Sequence, residues 1–368
     1  MKFTCSQLSL NKAINTVSKA VSPKTTMPAL KGILLTVVGG NLFLTSSDLD
    51  ICIKTSTFIN DGEDGSVIVN AKLFGEIVRK LPNSIIRAEV DEKGLMKISC
   101  LGSEFSIVTL PAEEYPSVGE IDKTKHIKLN GYLLRKLIRR TSFAASIDEK
   151  KGILVGCLLN INNGYLEMAS LDGFRLALAK EYEVFDGEDS VVIPASSLSV
   201  IEKIITENLG ESTIDLFIEN KKIAVITEDT EITARLLEGE FIRYKDIIPK
   251  TYATKVILSK SELLSSIERA SLFSREGKNN LIKFKVEKES IILSSRSEEG
   301  NVNEVINAEV EGNELVIGFN SKYLTDALKN IEDEEIAIEM TSSTSAALIK
   351  PVEGDSFTYL VLPVRILV

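Results

Sequence analysis

Four side chains of the sequence are of the types that bind a metal ion or a phosphate group. Asp48 and Asp50 are separated by a single residue, a spacing at which two carboxylates can share a Mg²⁺ ion. Asp172 and Arg175 lie in the segment Asp-Gly-Phe-Arg, whose arginine could bind a phosphate. These residues allow one enzymatic hypothesis, a metal-dependent phosphoryl hydrolase. We favour the alternative, in which the aspartates close turns and Arg175 is structural, because the sequence lacks Walker A, Rossmann glycine and HExxH motifs.

The cysteine and histidine content argues against two other kinds of active site. The four cysteines are scattered, and no two of them form a Cys-x-x-Cys pair. His126 is the only histidine, so a Ser-His-Asp triad or a histidine-based zinc site would depend on it alone. No apolar run approaches the length of a membrane span, and the first residues lack the apolar core of a signal peptide. We therefore expect a cytoplasmic, nucleoid-associated protein with no metal, no cofactor and no catalytic residues.

One pattern, a short strand followed by a helix, occurs three times along the sequence. Ile14, Ile138 and Ile267 take the same place in the apolar face of the three helices, at offsets of 124 and 129 residues. The pattern holds without a gap across each strand and helix. Three copies of one domain are therefore predicted, and repeated domains usually build a surface rather than a single catalytic cleft.

Each copy is predicted to hold two helices and many short strands. The second helices are expected at residues 71–81, 196–208 and 321–330, and strand-like alternation in the first copy covers residues 32–38, 41–45, 51–58, 85–90, 95–100 and 105–110. Helices among many short strands favour an α+β fold with mostly antiparallel sheet. Polar stretches at residues 120–125 and 249–255 place the domains at 1–122, 126–250 and 255–368.

The charge of the chain is unevenly distributed. A net charge of −10 by itself argues against a nucleic-acid partner. However, residues 1–47 hold five lysines and no acid, and residues 123–147 hold seven basic residues and no acid: Lys123, Lys125, Lys128, Arg135, Lys136, Arg139 and Arg140. The six predicted helices sum to +8, which leaves −18 for the rest of the chain. Such helices could present phosphate contacts that carry no sequence information, although exposed cations can also serve solubility alone.

Seven short segments carry a resemblance that covers the whole chain. They are residues 1–4 (Met-Lys-Phe-Thr), 27–30 (Met-Pro-Ala-Leu), 44–49 (Leu-Thr-Ser-Ser-Asp-Leu), 110–116 (Leu-Pro-Ala-Glu-Glu-Tyr-Pro), 172–177 (Asp-Gly-Phe-Arg-Leu-Ala), 317–320 (Ile-Gly-Phe-Asn) and 359–365 (Tyr-Leu-Val-Leu-Pro-Val-Arg). In these segments and their order the sequence resembles the bacterial DNA polymerase III β subunit family, the sliding clamps.

The resemblance implies a non-catalytic processivity factor. Two protomers of three clamp domains each would join head to tail in a closed ring, with helices inside and sheets outside, around duplex DNA. The implied partners are duplex DNA, a second copy of the chain, and the replicative polymerase, clamp loader and repair proteins, which bind through short peptide motifs. The alternative is a peptide-binding scaffold that does not enclose DNA.

The resemblance also implies residues for three sites. DNA contacts fall on Lys24, Lys72, Arg79 and Lys151, and the charge distribution alone adds Arg135, Lys136, Arg139 and Arg140. The partner-peptide pocket maps onto Leu154, Leu171, Gly173, Phe174, Arg175, Leu176, Ile247, Val361, Leu362, Pro363, Val364 and Arg365. The dimer interface maps onto Phe105, Ile107, Leu272 and Phe273.

Two pocket positions depart from the commonest pattern of the family. Leu171 and Phe174 stand where Thr and His are expected. We expect these apolar residues to shift the preference for partner peptides rather than to abolish binding. Because alternate residues of a strand face opposite sides, only some residues of the C-terminal run can line the pocket.

Overall fold

A computed structural model describes most of the 368 residues of the chain. The described residues are 1–22, 24–117, 121–123, 126–162, 164–183, 187–208, 213–219, 221–274 and 280–366, without the side chains of residues 207 and 208. Lys125, one of the predicted basic residues, lies outside them.

The described residues form six α-helices and 26 strands, and the strand–helix pattern occurs three times. The helices are α1 (Gln7–Val17), α2 (Ala71–Lys80), α3 (Gly131–Thr141), α4 (Ala195–Asn208), α5 (Lys260–Ser274) and α6 (Ser321–Leu328). The strands are β1 (Lys2–Ser6), β2 (Gly32–Val38), β3 (Asn41–Ser47), β4 (Ile51–Phe58), β5 (Asp61–Glu63), β6 (Gly65–Asn70), β7 (Ile85–Val90), β8 (Leu95–Cys100), β9 (Ser103–Pro111), β10 (Ile127–Asn130), β11 (Gly156–Asn162), β12 (Tyr165–Leu171), β13 (Arg175–Tyr182), β14 (Asp189–Pro194), β15 (Thr213–Glu219), β16 (Lys222–Ile226), β17 (Thr230–Arg235), β18 (Thr254–Ser259), β19 (Leu281–Val286), β20 (Ser290–Arg296), β21 (Asn301–Asn307), β22 (Glu309–Gly312), β23 (Leu315–Asn320), β24 (Glu335–Met340), β25 (Ala347–Pro351) and β26 (Phe357–Val361).

Asparagine at the strand-to-helix junction starts three of the helices. The Asn70 side chain accepts a hydrogen bond from the backbone N–H of Leu73 at 2.9 Å, at the start of α2. The side chains of Asn130 and Asn320 accept corresponding bonds at the starts of α3 and α6. Because the first N–H groups of a helix have no partner within the helix, each asparagine stabilises the boundary by about 1 kcal/mol.

The first compact unit comprises Met1–Tyr132 and Lys203–Leu236. Its thirteen strands form one sheet in the order β10-β15-β16-β17-β4-β3-β2-β6-β9-β8-β7-β1-β5. β17 of the second repeat pairs antiparallel with β4 of the first, with Ile232 opposite Ile53. The sheet therefore continues from one repeat into the next.

The second compact unit comprises Leu133–Glu202 and Leu237–Val368. Nine strands form one sheet in the order β14-β11-β12-β13-β26-β25-β24-β18-β22, and a second sheet has the order β21-β20-β19-β23. The pairing of β13 with β26 joins the second repeat to the third. Because sheets cross the repeat boundaries in both units, the compact units do not coincide with the three repeats, and the domain limits 1–122, 126–250 and 255–368 stay predictions.

The predicted fold class, α+β with antiparallel sheets, is confirmed, since every named strand pairing is antiparallel. Strands β2, β4, β7 and β8 have the predicted bounds. The last helix ends two residues earlier than predicted, because the N–H of Asn330 bonds to the Ala327 carbonyl three residues back, as in a turn, and not to the carbonyl four residues back. Among the described residues, none of the helices combines the length and hydropathy that a membrane crossing requires.

Candidate DNA-binding and partner-binding sites

The aspartates with the spacing of a metal site close equivalent turns in two repeats. Asp48 Oδ1 accepts hydrogen bonds from the backbone N–H groups of Asp50 and Ile51, at 3.0 and 2.8 Å. Asp172 Oδ1 accepts bonds from the N–H groups of Phe174 and Arg175, at 2.8 and 3.1 Å. This geometry is that of an Asx turn between paired strands, so it supports the structural interpretation of both aspartates. No group of three potential metal ligands occurs among the described residues.

The four cysteines are buried and unpaired by disulfides. Burial raises the pKa of the Cys5, Cys52 and Cys157 thiols to about 12. Thiols with such pKa values stay protonated at neutral pH and are poor nucleophiles. These three cysteines therefore act as small core residues.

The floor of the predicted peptide pocket is an apolar cluster of the second unit. Buried side chains from β12, β13, β14, β25 and β26 and from the segment after β17 form it: Ala169, Leu171, Leu176, Val192, Phe241, Tyr244, Leu348 and Leu360. The partly buried Leu154 packs against this cluster. Leu154, Leu171 and Leu176, which were predicted to share a site, are therefore brought together.

The strand alternation of β26 corrects one pocket prediction. Leu360 packs in the pocket floor, whereas Val361 packs with Ile349 and Tyr359 in the separate core cluster around α5 and α6. Neighbouring residues of a strand face opposite sides, so Val361 cannot line the pocket and Leu360, which was not predicted, does.

Beyond β26, two backbone hydrogen bonds hold the C-terminal segment. The N–H of Leu362 donates to the Phe174 carbonyl at 2.9 Å, and the N–H of Val364 donates to the Gly318 carbonyl at 2.8 Å. A Cβ at position 318 would lie 2.8 Å from the Val364 carbonyl oxygen, so this approach requires glycine.

A groove of about 820 Å³ follows the C-terminal segment. Its lining comprises Lys283, Val316, Ser343, Thr344, Leu362, Pro363, Val364, Arg365 and Ile366. The volume and the mixture of apolar and polar side chains suit a short extended peptide. Four of the predicted pocket residues, Leu362 to Arg365, therefore line one surface.

The rim of the pocket presents an exposed aromatic side chain. Phe174, which is 53% exposed, stacks on Tyr323 with ring centroids 6.2 Å apart and an interplanar angle of 21°. The backbone at Gly173 has φ +93°, a conformation that glycine adopts without strain and that turns the loop at this rim. Tyr323 was missed by the sequence reasoning, because one aromatic residue in the first turn of α6 gives no periodic signal.

Arg175 supports the pocket from within instead of lining it. Nε bonds to Asp172 Oδ2 at 3.1 Å, Nη1 to Asp326 Oδ2 at 2.6 Å and Nη2 to the Phe143 carbonyl at 2.8 Å. The side chain is only 10% exposed and its guanidinium carbon lies 4.7 Å from the Tyr323 ring centroid. Three of its five N–H groups have partners in the protein and little of the side chain is accessible, so we correct the prediction that Arg175 contacts a peptide directly.

Three predicted DNA contacts are exposed on helices. Lys72 and Arg79 lie two turns apart on α2 of the first unit, and Arg139 lies on α3 in the second unit. Within the part of the chain that the structure describes, none of these three helix cations forms an ion pair. Lys24, in a loop, is also exposed.

Burial overturns another DNA-contact prediction. Arg140 is 4% exposed, and its Nη1 and Nη2 lie 3.1 Å from Glu181 Oε1 and 3.7 Å from Asp333 Oδ2. Its guanidinium cannot reach a phosphate, so Arg140 links elements of the second unit instead. Lys136 also pairs with Glu181, at 2.8 Å, and Arg135 is half-buried.

Lys151 touches the pocket rim. Its Nζ donates to the Asp172 carbonyl at 2.7 Å and lies 5.5 Å from the Phe174 ring centroid. The remaining predicted pocket residue, Ile247, is exposed in a 3₁₀ turn, Tyr244–Ile247.

Two of the predicted dimer residues lie on β9 of the first unit. Ser103 to Val108 pair with β8 on one side, and Thr109 to Pro111 pair with β6 on the other, so the outer edge of Ser103 to Val108 has no strand partner among the described residues. Phe105 is partly exposed, but Ile107 is only 6% exposed and packs in the core of its own unit. The prediction for Ile107 is therefore corrected, whereas the next residue, Val108, is 76% exposed.

The other predicted dimer residues lie on α5 of the second unit. Leu272 is 63% exposed and Phe273 is half-buried. In the same unit β21 pairs only with β20 among the described residues, so its outer edge is open.

Comparisons with known proteins agree over the whole chain. Three family models match in order: the DNA polymerase III beta subunit N-terminal domain at residues 1–119, the central domain at 128–242 and the C-terminal domain at 245–365. The beta sliding clamp of Staphylococcus epidermidis is 34% identical over 376 residues, which cover 99% of each chain.

Solved structures of related proteins have the same fold. The DNA polymerase sliding clamp of Bacillus subtilis is 35% identical with a TM-score of 0.94, and the DNA polymerase III beta subunit of Thermotoga maritima is 30% identical with a TM-score of 0.93. Each comparison covers 100% of both chains.

Proposed function

Because the chain belongs to the DNA polymerase III β subunit family and serves as a DNA sliding clamp, we propose a specific form of that function. Two protomers join head to tail into a closed ring around duplex DNA in the cytoplasm, at the nucleoid. The ring binds the replicative polymerase, the clamp loader and repair proteins through short peptides, one set of partners at a time. It is not an enzyme, and it keeps the polymerase on its template.

The observation that carries this proposal is the contrast between exposed helix cations and an acidic chain. Lys72, Arg79 and Arg139 are exposed on helices of a protein whose net charge is −10. Cations that line the hole attract the phosphates of both strands, while the acidic remainder repels nucleic acid from other surfaces. Lys24 and Lys151 complete the set of proposed contacts, and Arg135 and Lys136 border it.

Phosphate contacts suit a ring that must slide. Direct base readout would give the ring preferred positions along the sequence, whereas phosphate contacts repeat at every base pair. A closed ring retains DNA by topology, so each contact can be weak without loss of the complex.

Open strand edges favour a head-to-tail dimer. The edge of β9 from Ser103 to Val108 would meet the edge of β21 in a second protomer, and Phe105, Leu272 and Phe273 would be buried beside this junction. Pairing of two edges satisfies their backbone groups and removes surfaces that otherwise promote aggregation.

The pocket of the second unit would hold a short extended partner peptide with leucine and phenylalanine anchors. Leu154, Leu171, Leu176 and Leu360 supply the apolar floor, and the exposed residues Phe174, Ile247 and Leu362 supply the rim. Backbone groups at the C-terminal segment can orient the peptide by hydrogen bonds.

Small-angle X-ray scattering on a size-exclusion column tests the ring. A mass near twice the 40.4 kDa chain, with the pair-distance distribution of a hollow body, is the expected result. A solid 40.4 kDa particle would refute the closed dimer and favour a monomeric peptide-binding scaffold.

A further inference from the structure

Beside the apolar floor cluster, three strands and a turn share a buried polar network. The carboxylate of Glu167, on β12, is almost fully buried. Its Oε1 accepts a hydrogen bond from the Tyr244 hydroxyl at 2.5 Å and lies 2.9 Å from Lys245 Nζ. Asn160 Nδ2, on β11, lies 3.2 Å from the Tyr244 hydroxyl oxygen, and Asn160 Oδ1 accepts a bond from Ser190 Oγ at 2.7 Å.

This network ties one turn to the sheet. Tyr244 and Lys245 belong to the turn Tyr244–Ile247, which ends at the exposed Ile247, a proposed rim residue of the pocket. The turn holds only four residues, so anchoring Tyr244 at its start restricts the position of Ile247 at its end. Phe241 packs edge-on against the Tyr244 ring, at 6.4 Å and 72°, and continues the anchorage into the apolar floor.

Holding a turn with a buried carboxylate requires desolvation of a charged group. Removing a charge from water costs several kcal/mol unless hydrogen bonds compensate, and apolar residues of similar volume often stabilise a core equally well. The compensation here is directional, because a hydroxyl–carboxylate bond fixes both distance and angle. Burial and the bond to Glu167 raise the pKa of Tyr244, so its hydroxyl keeps the proton that it donates.

We propose that the Glu167–Tyr244 hydrogen bond is a latch that positions Ile247 at the rim of the pocket and thereby sets the affinity for leucine- and phenylalanine-anchored peptides. Glu167 and Tyr244 are positioning residues that do not touch the peptide. This inference rests on the proposed peptide pocket.

The test is a double-mutant cycle read by peptide binding. Fluorescence anisotropy measures a labelled, acetylated pentapeptide that ends in Leu-Phe against wild type, Tyr244→Phe, Ile247→Ala and the double variant. Tyr182→Phe is the matched control, because the Tyr182 hydroxyl also bonds to a carboxylate, Asp355, but at an exposed position of the same unit.

The latch predicts about tenfold weaker binding for Tyr244→Phe, the size of effect expected for one hydrogen bond to a charged group. Tyr182→Phe should bind as wild type does. The double variant should bind no more weakly than the weaker single variant, because both changes act through Ile247. Glu167→Gln, which keeps a weaker, uncharged hydrogen-bond acceptor, should bind the peptide measurably more weakly than wild type but lose less affinity than Tyr244→Phe.

Two results would overturn the latch. Wild-type affinity in Tyr244→Phe would show that the hydrogen bond does not position Ile247. Additive losses of affinity in the double variant would show that Tyr244 does not act through Ile247. If Tyr244→Phe does not fold by thermal melting, an affinity of Glu167→Gln equal to wild type likewise rejects the latch. A wild-type protein that does not bind the peptide would instead reject the pocket itself, and the latch with it.

Discussion

Replacement of Arg175 by alanine should destabilise the second unit strongly. The guanidinium joins β13 to α6 through Asp326 and to the segment after α3 through the Phe143 carbonyl, in addition to its bond with Asp172. Alanine leaves two carboxylates and one carbonyl without these donors, and it removes the cation from the face of the Tyr323 ring.

The magnitude follows from burial. A hydrogen bond to a charged group contributes about 1.5–3 kcal/mol, and loss of one partner of a buried pair costs about 3–5 kcal/mol. The Asp326 side chain is 30% exposed, so water can solvate that carboxylate after the change. We therefore expect a loss of about 3 kcal/mol for Arg175→Ala, and about 2 kcal/mol for Arg175→Lys because a single ammonium cannot replace the planar fork.

Urea denaturation at one fixed protein concentration measures this free energy of unfolding, with Lys285→Ala as control. Lys285 also forms an ion pair, with Glu287, but both groups are accessible to water, so little change is expected. A loss below about 1 kcal/mol in Arg175→Ala would refute the structural role and return Arg175 to the set of direct peptide contacts.

Three further predictions concern DNA, assembly and pH. Alanine at all three helix cations should flatten the salt dependence of binding to duplex DNA by a log–log slope of about 5, since the closed dimer carries each cation twice and each phosphate contact contributes about 0.9. The same change at three exposed lysines around β19, Lys283, Lys285 and Lys288, should leave the slope unaltered. Replacement of Leu272 and Phe273 by aspartate should give a folded protein with the mass of one protomer by light scattering, and a persistent dimer would place the interface elsewhere. Hydrogen bonds from Arg269 hold the pKa of Glu304 below its ordinary value of 4.5, so this pair stabilises the fold above that pH and loses its effect as the pH falls through the lowered pKa. The stability difference between wild type and Glu304→Gln should therefore be constant near neutral pH and shrink below pH 4.5; a constant difference down to pH 3 would contradict the assignment.

Local pattern was sufficient for many of the secondary-structure elements. Apolar alternation predicted the bounds of β2 and β4, because this pattern depends only on neighbours in the chain. The two aspartate turns were also predictable, since an Asx turn needs only the residues that follow it.

The burial and orientation of the other site residues depend on contacts between residues far apart in the chain. Arg140 looks like its neighbour Arg139 in sequence, and only contacts with Glu181 and Asp333 reveal that it is buried. Val361 and Leu360 are equally apolar, and the pairing register of β26 determines which of them faces the pocket floor. The latch at Glu167 was missed because its partner Tyr244 is 77 residues away.

Retention on DNA tests the central claim, that the chain encircles duplex DNA. The purified protein is loaded by a clamp loader onto a nicked circular plasmid, the complex is isolated by gel filtration, and one half is linearised with a restriction enzyme. A topological ring stays with the circular plasmid in high salt and leaves the linear DNA by sliding off its ends. Equal retention on circular and linear DNA, or loss from both in high salt, would mean that the protein binds along the surface of DNA and does not enclose it.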